Sequence, residues 1–284
     1  MYTDLKALVD TAKKGGYAVG SFNLHCMEML PAMIAAAEKA QSPIIIQIST
    51  GTANYISMPL IVSMVRTLAE KSSVPVALHL DHTTDYEEIK KAIDAGFTSV
   101  MVDGSHLPIE ENIELTKKVV AYAHPRNVSV EAELGTIGGT EEGVTVTSEE
   151  IMYTSPDEAK YFVDETGVDA LAVAIGTAHG QYKSKAKLNF EILEAIHKKV
   201  DLPLVLHGGT GVAYSDLERC ISGGIAKVNV GTEINIGWIE TAKQEFEKSK
   251  ITNSLRNVLI PCNQKVEDIV YEKIIQLKSA DKVR

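Results

Sequence analysis

The 284-residue chain has few cysteines, no excess of basic charge and no long apolar segment, and each of these features argues against a class of protein. Its three cysteines, Cys26, Cys220 and Cys262, are odd in number and far apart, so we expect free thiols in a reducing cytoplasm. The net charge is −10 with no basic run, which argues against nucleic acid and anionic membranes as partners. No stretch is long enough to cross a bilayer, and the N-terminal segment lacks the apolar core of a signal peptide.

The chain also lacks the G-x-G-x-x-G turn that a doubly wound sheet would carry after its first strand. What it has is an alternation of strand and helix patterns. Continuous Val, Ile and Leu runs, typical of strands buried on both faces, predict strands at 17–23, 43–49, 74–80, 99–105, 129–135, 170–176, 202–208 and 226–232. Helix-period segments between them begin at capping residues (Asp85, Ser155, Ser215) and end at glycines (Gly96, Gly167, Gly223).

Eight strand–helix units predict an α/β fold, the (β/α)8 TIM barrel, as a single domain over residues 1–284. A helix precedes the first strand, and an irregular stretch with a final helix at 267–278 follows the last one. Two long connections, 136–154 and 177–188, are expected to be functional.

Three histidines stand where predicted strands end: His82, His179 and His207. A lone histidine at a strand end is usually structural. Three at equivalent strand positions, one of them beside Asp81, indicate a zinc site that keeps a coordination position open. His79, inside a strand, is expected to pack or hydrogen-bond locally.

Other polar residues also follow the apolar strands, where the active sites of such barrels lie. They are Asn23, Ser49, Asp81, Asp103, Glu133 and Asn229. The glycine-rich turns HGGTG (207–211) and NVGTE (229–233) follow strands seven and eight, where backbone N–H groups commonly hold phosphate. The segment GGTEEGV (138–144) combines glycines with Glu141 and Glu142, which suggests a mobile lid carrying a general acid or base.

Together, the motifs LHLDH, SVEAELG, GTIGGTEEG, AVAIGTAHG, VLHGGTG and KVNVGTE resemble the class II, zinc-dependent ketose-bisphosphate aldolases. The resemblance runs from the first helix to about residue 235. It implies a cytoplasmic lyase of carbohydrate metabolism, a homodimer or homotetramer with a TIM barrel. It also implies reversible cleavage of fructose or tagatose 1,6-bisphosphate to dihydroxyacetone phosphate and glyceraldehyde 3-phosphate.

The same resemblance implies a role for each matching residue. His82, His179 and His207 would bind catalytic Zn²⁺, and Asp103 and Glu133 would lie near a second or resting metal position. Asp81 would take the substrate hydroxyl proton, Glu141 would exchange the proton on the enediolate carbon, and Asn229 would steady the enediolate. Asn23 and Ser49 match pocket-lining positions. The ketone-side phosphate, often accompanied by a monovalent cation (Na⁺ or K⁺), would be bound at Gly180, Gly208, Gly209, Thr210, Gly231 and Thr232.

Two departures from the family pattern leave the substrate open. Gly231 stands where fructose-type members often carry Asp or Asn and tagatose-type members Ala. The tail NSLRNVLIP keeps Arg256, our candidate for the distal phosphate, but loses the family's Asp, Pro and Tyr.

No predicted strand ends in a lysine. Lys227 opens the eighth strand and is expected at the opposite end of the barrel, which disfavours Schiff-base chemistry.

Three alternative functions remain. The first is a class II aldolase acting on a different phosphorylated or non-phosphorylated sugar. The second is a zinc hydrolase on a TIM barrel, which usually has His-x-His on strand one, where this chain has SFNLHC. The third is a non-catalytic accessory subunit, which would be expected to lose the ligand histidines that this chain keeps.

Overall fold

The computed structural model describes residues 1–141, 144–146, 152–180, 186–248 and 254–283. Eight parallel strands close into a barrel. Each strand pairs with the next along the chain, and the eighth pairs with the first. They are β1 (Val19–Asn23), β2 (Ile44–Ser49), β3 (Val76–Asp81), β4 (Ser99–Val102), β5 (Ser129–Leu134), β6 (Ala170–Val173), β7 (Leu204–Leu206) and β8 (Ile225–Val230). Every predicted run overlaps one of these strands, and their bounds differ by a few residues, so the predicted (β/α)8 barrel is confirmed.

The helices follow the strands as the periodicity predicts, with two additions. They are α1 (Leu5–Gly15), α2 (Leu30–Ala40), α3 (Thr50–Ile56), α4 (Met58–Lys71), α5 (Tyr86–Ala95), α6 (Ile109–Ala123), α7 (Pro156–Thr166), α8 (Phe190–Lys199), α9 (Tyr214–Ser222), α10 (Thr232–Lys248) and α11 (Arg256–Gln276). Helices α3 and α10 were not predicted. Within the described ranges, no helix is both long and apolar enough to cross a membrane.

The helix ends show which capping predictions hold. Asp85 and Ser155 accept hydrogen bonds from first-turn backbone N–H groups, as predicted, and Gly96 and Gly167 adopt the left-handed conformation. The prediction for Ser215 is wrong, because α9 already begins at Tyr214.

The tail also differs from the prediction, since α11 begins at Arg256 and contains Pro261. The proline removes one helical hydrogen bond. The helix nevertheless forms because its apolar face is buried: Val258 and Cys262 pack in one cluster with Trp238 of α10.

Alternation along the strands gives the barrel interior its layers, because successive side chains of a strand point to opposite faces. At the bottom, Leu5 and Leu8 of α1 pack against Val19, Ile45 and Ala77, which are inward-facing residues of β1, β2 and β3. The residues two positions further along these strands are polar and also buried: Ser21, Gln47 and His79. A polar layer therefore lies directly above the apolar base of the barrel.

A small second sheet lies at the predicted lid. Gly138–Glu141 pairs antiparallel with Val144–Val146 and parallel with Ala178–His179, so this connection contains a hairpin beside one of the three histidines. The backbone of Glu141 is described but its side chain is not, and Glu142 lies outside the described residues.

Candidate active site

The three strand-end histidines meet at the carboxyl end of the barrel. The ring centroids of His82 and His179 are 5.2 Å apart, those of His82 and His207 are 4.7 Å apart, and those of His179 and His207 are 5.9 Å apart. One ring nitrogen of each residue lies within 4.8 Å of a ring nitrogen of the other two. The structure thus brings together the three residues that the sequence pattern selected as metal ligands.

His82 reaches the cluster through a strained backbone. Its φ is +35°, a value that a non-glycine residue rarely adopts, and such strain costs on the order of 1–3 kcal/mol. The Asp103 carboxylate lies 2.9 Å from Nδ1 of His82. A proton shared with this carboxylate at Nδ1 makes Nε2 the nitrogen suited to bind a metal.

Burial by itself would raise the pKa of Asp103, but the hydrogen bond and the charge of His82 outweigh it. Hydrogen bonds from Ser105 act in the same direction, so the pKa of the Asp103 carboxyl lies well below its usual range. Asp103 is therefore a carboxylate that accepts only, and it holds the ring of His82 in place.

His207 is oriented in the same manner, through its other nitrogen. Its ring is fully buried, and Nε2 lies 3.0 Å from Oε1 of Glu131. Nδ1 lies 3.3 Å from Oε2 of Glu133. The Glu131 carboxylate therefore stands behind the His207 ring, in the arrangement that usually orients a metal-binding imidazole. Asp103 and Glu133 also form, with His82, a second group whose ligand atoms lie within 4.8 Å of one another.

Asp81 ends β3 beside this cluster and is fully buried. Its Oδ1 lies 4.0 Å from Nε2 of His82. The Gln47 amide donates to Oδ2 of Asp81 at 2.5 Å, and the Asn229 amide donates to Oδ1 at 3.4 Å. Gln47 also donates to Oδ1 of Asn23 at 3.1 Å. Amide donors thus hold a carboxylate next to the histidines, where it can accept a proton.

A cavity of about 470 Å³ opens above these groups. Most of the predicted pocket residues line it: Asn23, Ser49, His179, Gly180, Gly208, Thr210, Asn229, Gly231 and Thr232. Five further residues complete the described lining: His25, Gln47, Gly51, Thr52 and Asn235. The cavity wall is mostly amide, hydroxyl and backbone groups, which suits a hydroxylated ligand.

The glycine-rich turns lie at one side of the cavity. Gly208 has a φ of +66°, and a Cβ there would lie 2.4 Å from the carbonyl oxygen of Ala178, so only glycine fits. Thr232 begins the 17-residue helix α10, whose first-turn N–H groups make its N-terminus suitable for an anion. A Cβ at Gly231 would lie 2.5 Å from the side-chain oxygen of Asn23, so a larger residue at this departure from the family pattern would require the Asn23 side chain to move.

Two of the predicted substrate-binding residues do not line the described cavity, and the side chain of a third predicted site residue, Glu141, is not described. Gly209 is buried, and its N–H donates to the carbonyl oxygen of Asn229 at 3.0 Å, so it supports the turn instead of lining the cavity. Arg256 is exposed at the start of α11 and does not line the described cavity. Glu141 ends the strand Gly138–Glu141 and pairs with Val144, but its side chain lies outside the description.

The prediction that Lys227 lies at the wrong end of the barrel is incorrect. It is the third residue of β8, and its fully buried side chain reaches Asn229 from below. Glu131 and His79 share this buried layer. Burial and the nearby Lys227 ammonium hold the pKa of His79 well below its usual range, so its imidazole is neutral.

One signal could have revealed these residues. Lys227 stands two positions before Asn229, Glu131 two before Glu133, and His79 two before Asp81. Residues two apart on a strand share a face, so each strand-end residue has a polar neighbour one layer deeper.

Comparison with known proteins places this geometry in context. The family model described as "Fructose-bisphosphate aldolase class-II" matches residues 3–282. A fructose-bisphosphate aldolase of Staphylococcus epidermidis is 42% identical over 283 residues, covering 99% of this chain and 98% of the relative. Among solved structures, the YdjI aldolase of Escherichia coli K12 is 37% identical with a TM-score of 0.89, and each chain is covered to 100%. A putative fructose-1,6-bisphosphate aldolase of Coccidioides immitis is 33% identical with a TM-score of 0.91, covering 99% and 98% of the two chains.

Proposed function

The chain belongs to the class II fructose-bisphosphate aldolase family, and on this premise we propose that it is a zinc-dependent enzyme that reversibly cleaves a ketose 1,6-bisphosphate, of the fructose or tagatose type. The products would be dihydroxyacetone phosphate and glyceraldehyde 3-phosphate. The observation that carries the proposal is the cluster of His82, His179 and His207 with the buried Asp81 carboxylate beside it.

The donor set fits a catalytic zinc ion. Three imidazoles are the protein ligands of one common class of open zinc site, and two of these rings have a carboxylate behind them, Asp103 or Glu131. Zn²⁺ held by His82, His179 and His207 would act as a Lewis acid toward a substrate carbonyl. Asp103 and Glu133 could also hold the ion with His82 in a resting position, because the ligand atoms of these three residues also lie within 4.8 Å of one another.

The chain's own residues would then move the protons. Cleavage of the carbon–carbon bond begins when the adjacent hydroxyl loses its proton, and Asp81 accepts that proton. The bonding electron pair stays with the ketone-side fragment. The Asn229 amide, which lines the cavity, donates a hydrogen bond to the oxygen that gains charge. Glu141, on the strand Gly138–Glu141 beside His179, then protonates the carbon of the ketone-side fragment at which the bond was broken.

The ketone-side phosphate would be bound by backbone groups. Gly208 and Gly231 let the chain approach the anion, and the N-terminus of α10 at Thr232 presents N–H groups and the positive end of its dipole. This arrangement needs no arginine.

A second candidate concerns the other end of the substrate. Among the described residues that line the cavity there is no lysine or arginine. This favours, as the alternative, an aldolase that acts on a sugar without a second phosphate. Arg256 is the candidate side chain for the distal phosphate if the bisphosphate is the substrate.

The test is a cleavage assay before and after metal removal. Chelation is expected to abolish cleavage, and Zn²⁺ to restore it. Borohydride added with substrate is expected to trap no covalent adduct. Full activity in protein verified to be metal-free, or a trapped lysine adduct, would contradict the proposal. Assaying fructose and tagatose bisphosphates beside ketose 1-phosphates and unphosphorylated ketoses separates the two candidates.

A further inference from the structure

A lysine ammonium group is buried in the middle of the barrel, directly below the candidate site. The Lys227 side chain is fully buried, and its Nζ lies 2.8 Å from Oδ1 of Asn229. The same Nζ lies 2.8 Å from Oε2 and 3.1 Å from Oε1 of Glu131, which is also fully buried. Replacing a buried ion pair with apolar side chains is often neutral or stabilising. Stability alone is therefore a weak reason for these charges, and their partners point to a role in the site.

The first partner, Asn229, has an amide that could face either way. An ammonium group has three donors and no acceptor, so the amide atom that faces Lys227 must be the oxygen. The Nδ2 amino group then points to the other side, where it donates to Oδ1 of Asp81 at 3.4 Å. Lys227 thereby determines that Asn229 presents a donor, and not an acceptor, to the cavity.

The second partner, Glu131, carries the effect to the histidine cluster. Oε1 of Glu131 lies 3.0 Å from Nε2 of His207. A carboxylate that is itself held by an ammonium group accepts from Nε2–H, which leaves the lone pair of His207 on Nδ1. Nδ1 is the nitrogen on the side of Glu133, 3.3 Å from its Oε2.

From these contacts we propose that Lys227 is a positioning residue for the aldolase reaction. Its one ammonium group orients the Asn229 amide directly and, through Glu131, selects the ring nitrogen that His207 offers to a metal. Lys227 does not line the cavity, and it acts only through these two residues. The inference rests on the proposed function, in which Asn229 contacts the substrate and His207 binds Zn²⁺.

The test is Lys227→Met, which keeps the length of the side chain but removes its donors. Chelator competition without substrate measures zinc affinity, which is expected to fall roughly 10- to 100-fold, as for other residues that orient metal ligands. Steady-state cleavage is expected to show a kcat about 10- to 100-fold lower with a much smaller change in KM, because a misplaced catalytic group slows the step after binding. Zinc affinity and kcat that both match the wild type would overturn the proposal, while the proposed function would stand.

Two double variants separate the two branches. If Lys227 acts through Asn229, kcat of Lys227→Met/Asn229→Ala should be no lower than that of Asn229→Ala alone. If it acts through Glu131, the zinc affinity of Lys227→Met/Glu131→Gln should equal that of Glu131→Gln alone. Effects that simply add in both pairs would show that Lys227 does not act through these partners, and would refute the proposal.

A matched control is Lys273→Met. Lys273 is 5% exposed, and its Nζ lies 3.0 Å from Oε2 of Glu233, but it belongs to α11, outside the barrel interior. This variant is expected to lose stability and keep zinc affinity; kcat is not compared, because Glu233 ends the NVGTE turn that the proposed function places at the phosphate. If zinc affinity fell equally in Lys273→Met, the loss would follow from removing any buried cation, and the proposal would be wrong.

One measurement needs no variant. In ¹⁵N-histidine spectra of the metal-free wild type, His207 is expected to carry a proton on Nε2, and a ring protonated on Nδ1 alone would refute the Glu131 branch even if Lys227→Met fails to fold. A wild type that has this tautomer and binds zinc, but cleaves no ketose, would refute the proposed function and leave the orienting contacts intact.

Discussion

Replacing Asp103 by asparagine is expected to weaken metal binding although the two side chains have nearly the same shape. The reason lies in the three groups around the carboxylate. His82 Nδ1 lies 2.9 Å from Oδ2, and Oδ1 accepts from the Ser105 backbone N–H at 3.1 Å and from the Ser105 hydroxyl at 2.7 Å. An asparagine must turn its NH₂ group toward one of these sides. If the NH₂ group faces Ser105, it meets the backbone N–H there, which is also a donor. If it faces His82, it donates to Nδ1, so the ring proton must move to Nε2, the nitrogen that should bind the metal.

The size of the effect follows from the loss of this orienting hydrogen bond. Second-layer partners of metal-binding histidines are typically worth 10- to 100-fold in metal affinity, which corresponds to about 1.4–2.8 kcal/mol. We therefore expect the Kd for Zn²⁺ of Asp103→Asn to rise by roughly that factor, with kcat falling less once the protein is saturated with metal.

The assay is chelator competition on metal-free protein, with the zinc stoichiometry measured in parallel. Ser105→Ala is the control: it removes only the hydroxyl bond and keeps the backbone donor and the His82 contact, so its Kd should change little. A Kd for Asp103→Asn equal to the wild-type value would refute the argument. A lower stoichiometry at unchanged affinity would show instead that Asp103 is itself a ligand of a second metal position.

Three more predictions concern the substrate. Gly208→Ala should weaken binding of dihydroxyacetone phosphate in a titration, because its Cβ would lie 2.4 Å from the Ala178 carbonyl oxygen; an unchanged Kd would argue against a phosphate site at this turn. Asp81→Ala and Glu141→Ala should each slow cleavage about 10²–10⁴-fold, and the latter should also stop proton exchange between dihydroxyacetone phosphate and solvent while zinc still binds. Normal proton exchange in Glu141→Ala would contradict this role of Glu141. Arg256→Ala should raise KM about 10- to 100-fold for a bisphosphate but not for a ketose 1-phosphate, and equal effects on both would exclude a distal-phosphate role.

The sequence by itself determined the barrel and the identity of the histidine cluster. Strands buried on both faces appear as unbroken apolar runs, and the carboxyl ends of parallel strands all meet at one end of the barrel. For that reason His82, His179 and His207 could be grouped although they are far apart in the chain, and Asp81 and Asn229 could be added to the same opening.

Other features are decided only by the folded structure, because they depend on which way a side chain points inside a closed barrel. Gln47 interrupts the apolar strand Ile44–Ser49 as a single polar residue, and nothing in that pattern indicates that its amide holds Asp81. The exposed position of Arg256 followed from α11, which begins there despite Pro261.

The ion pair between Glu131 and Lys227 is the clearest case that only the tertiary structure decided. Their strands, β5 and β8, are not neighbours, so no ladder of backbone hydrogen bonds and no local pattern relates the two residues. They meet because closing eight strands brings inward-facing residues of the same layer together across the interior. The sequence determined that each residue lies on the inner face two positions below a site residue, and the closure of the barrel decided that these two charges share one contact.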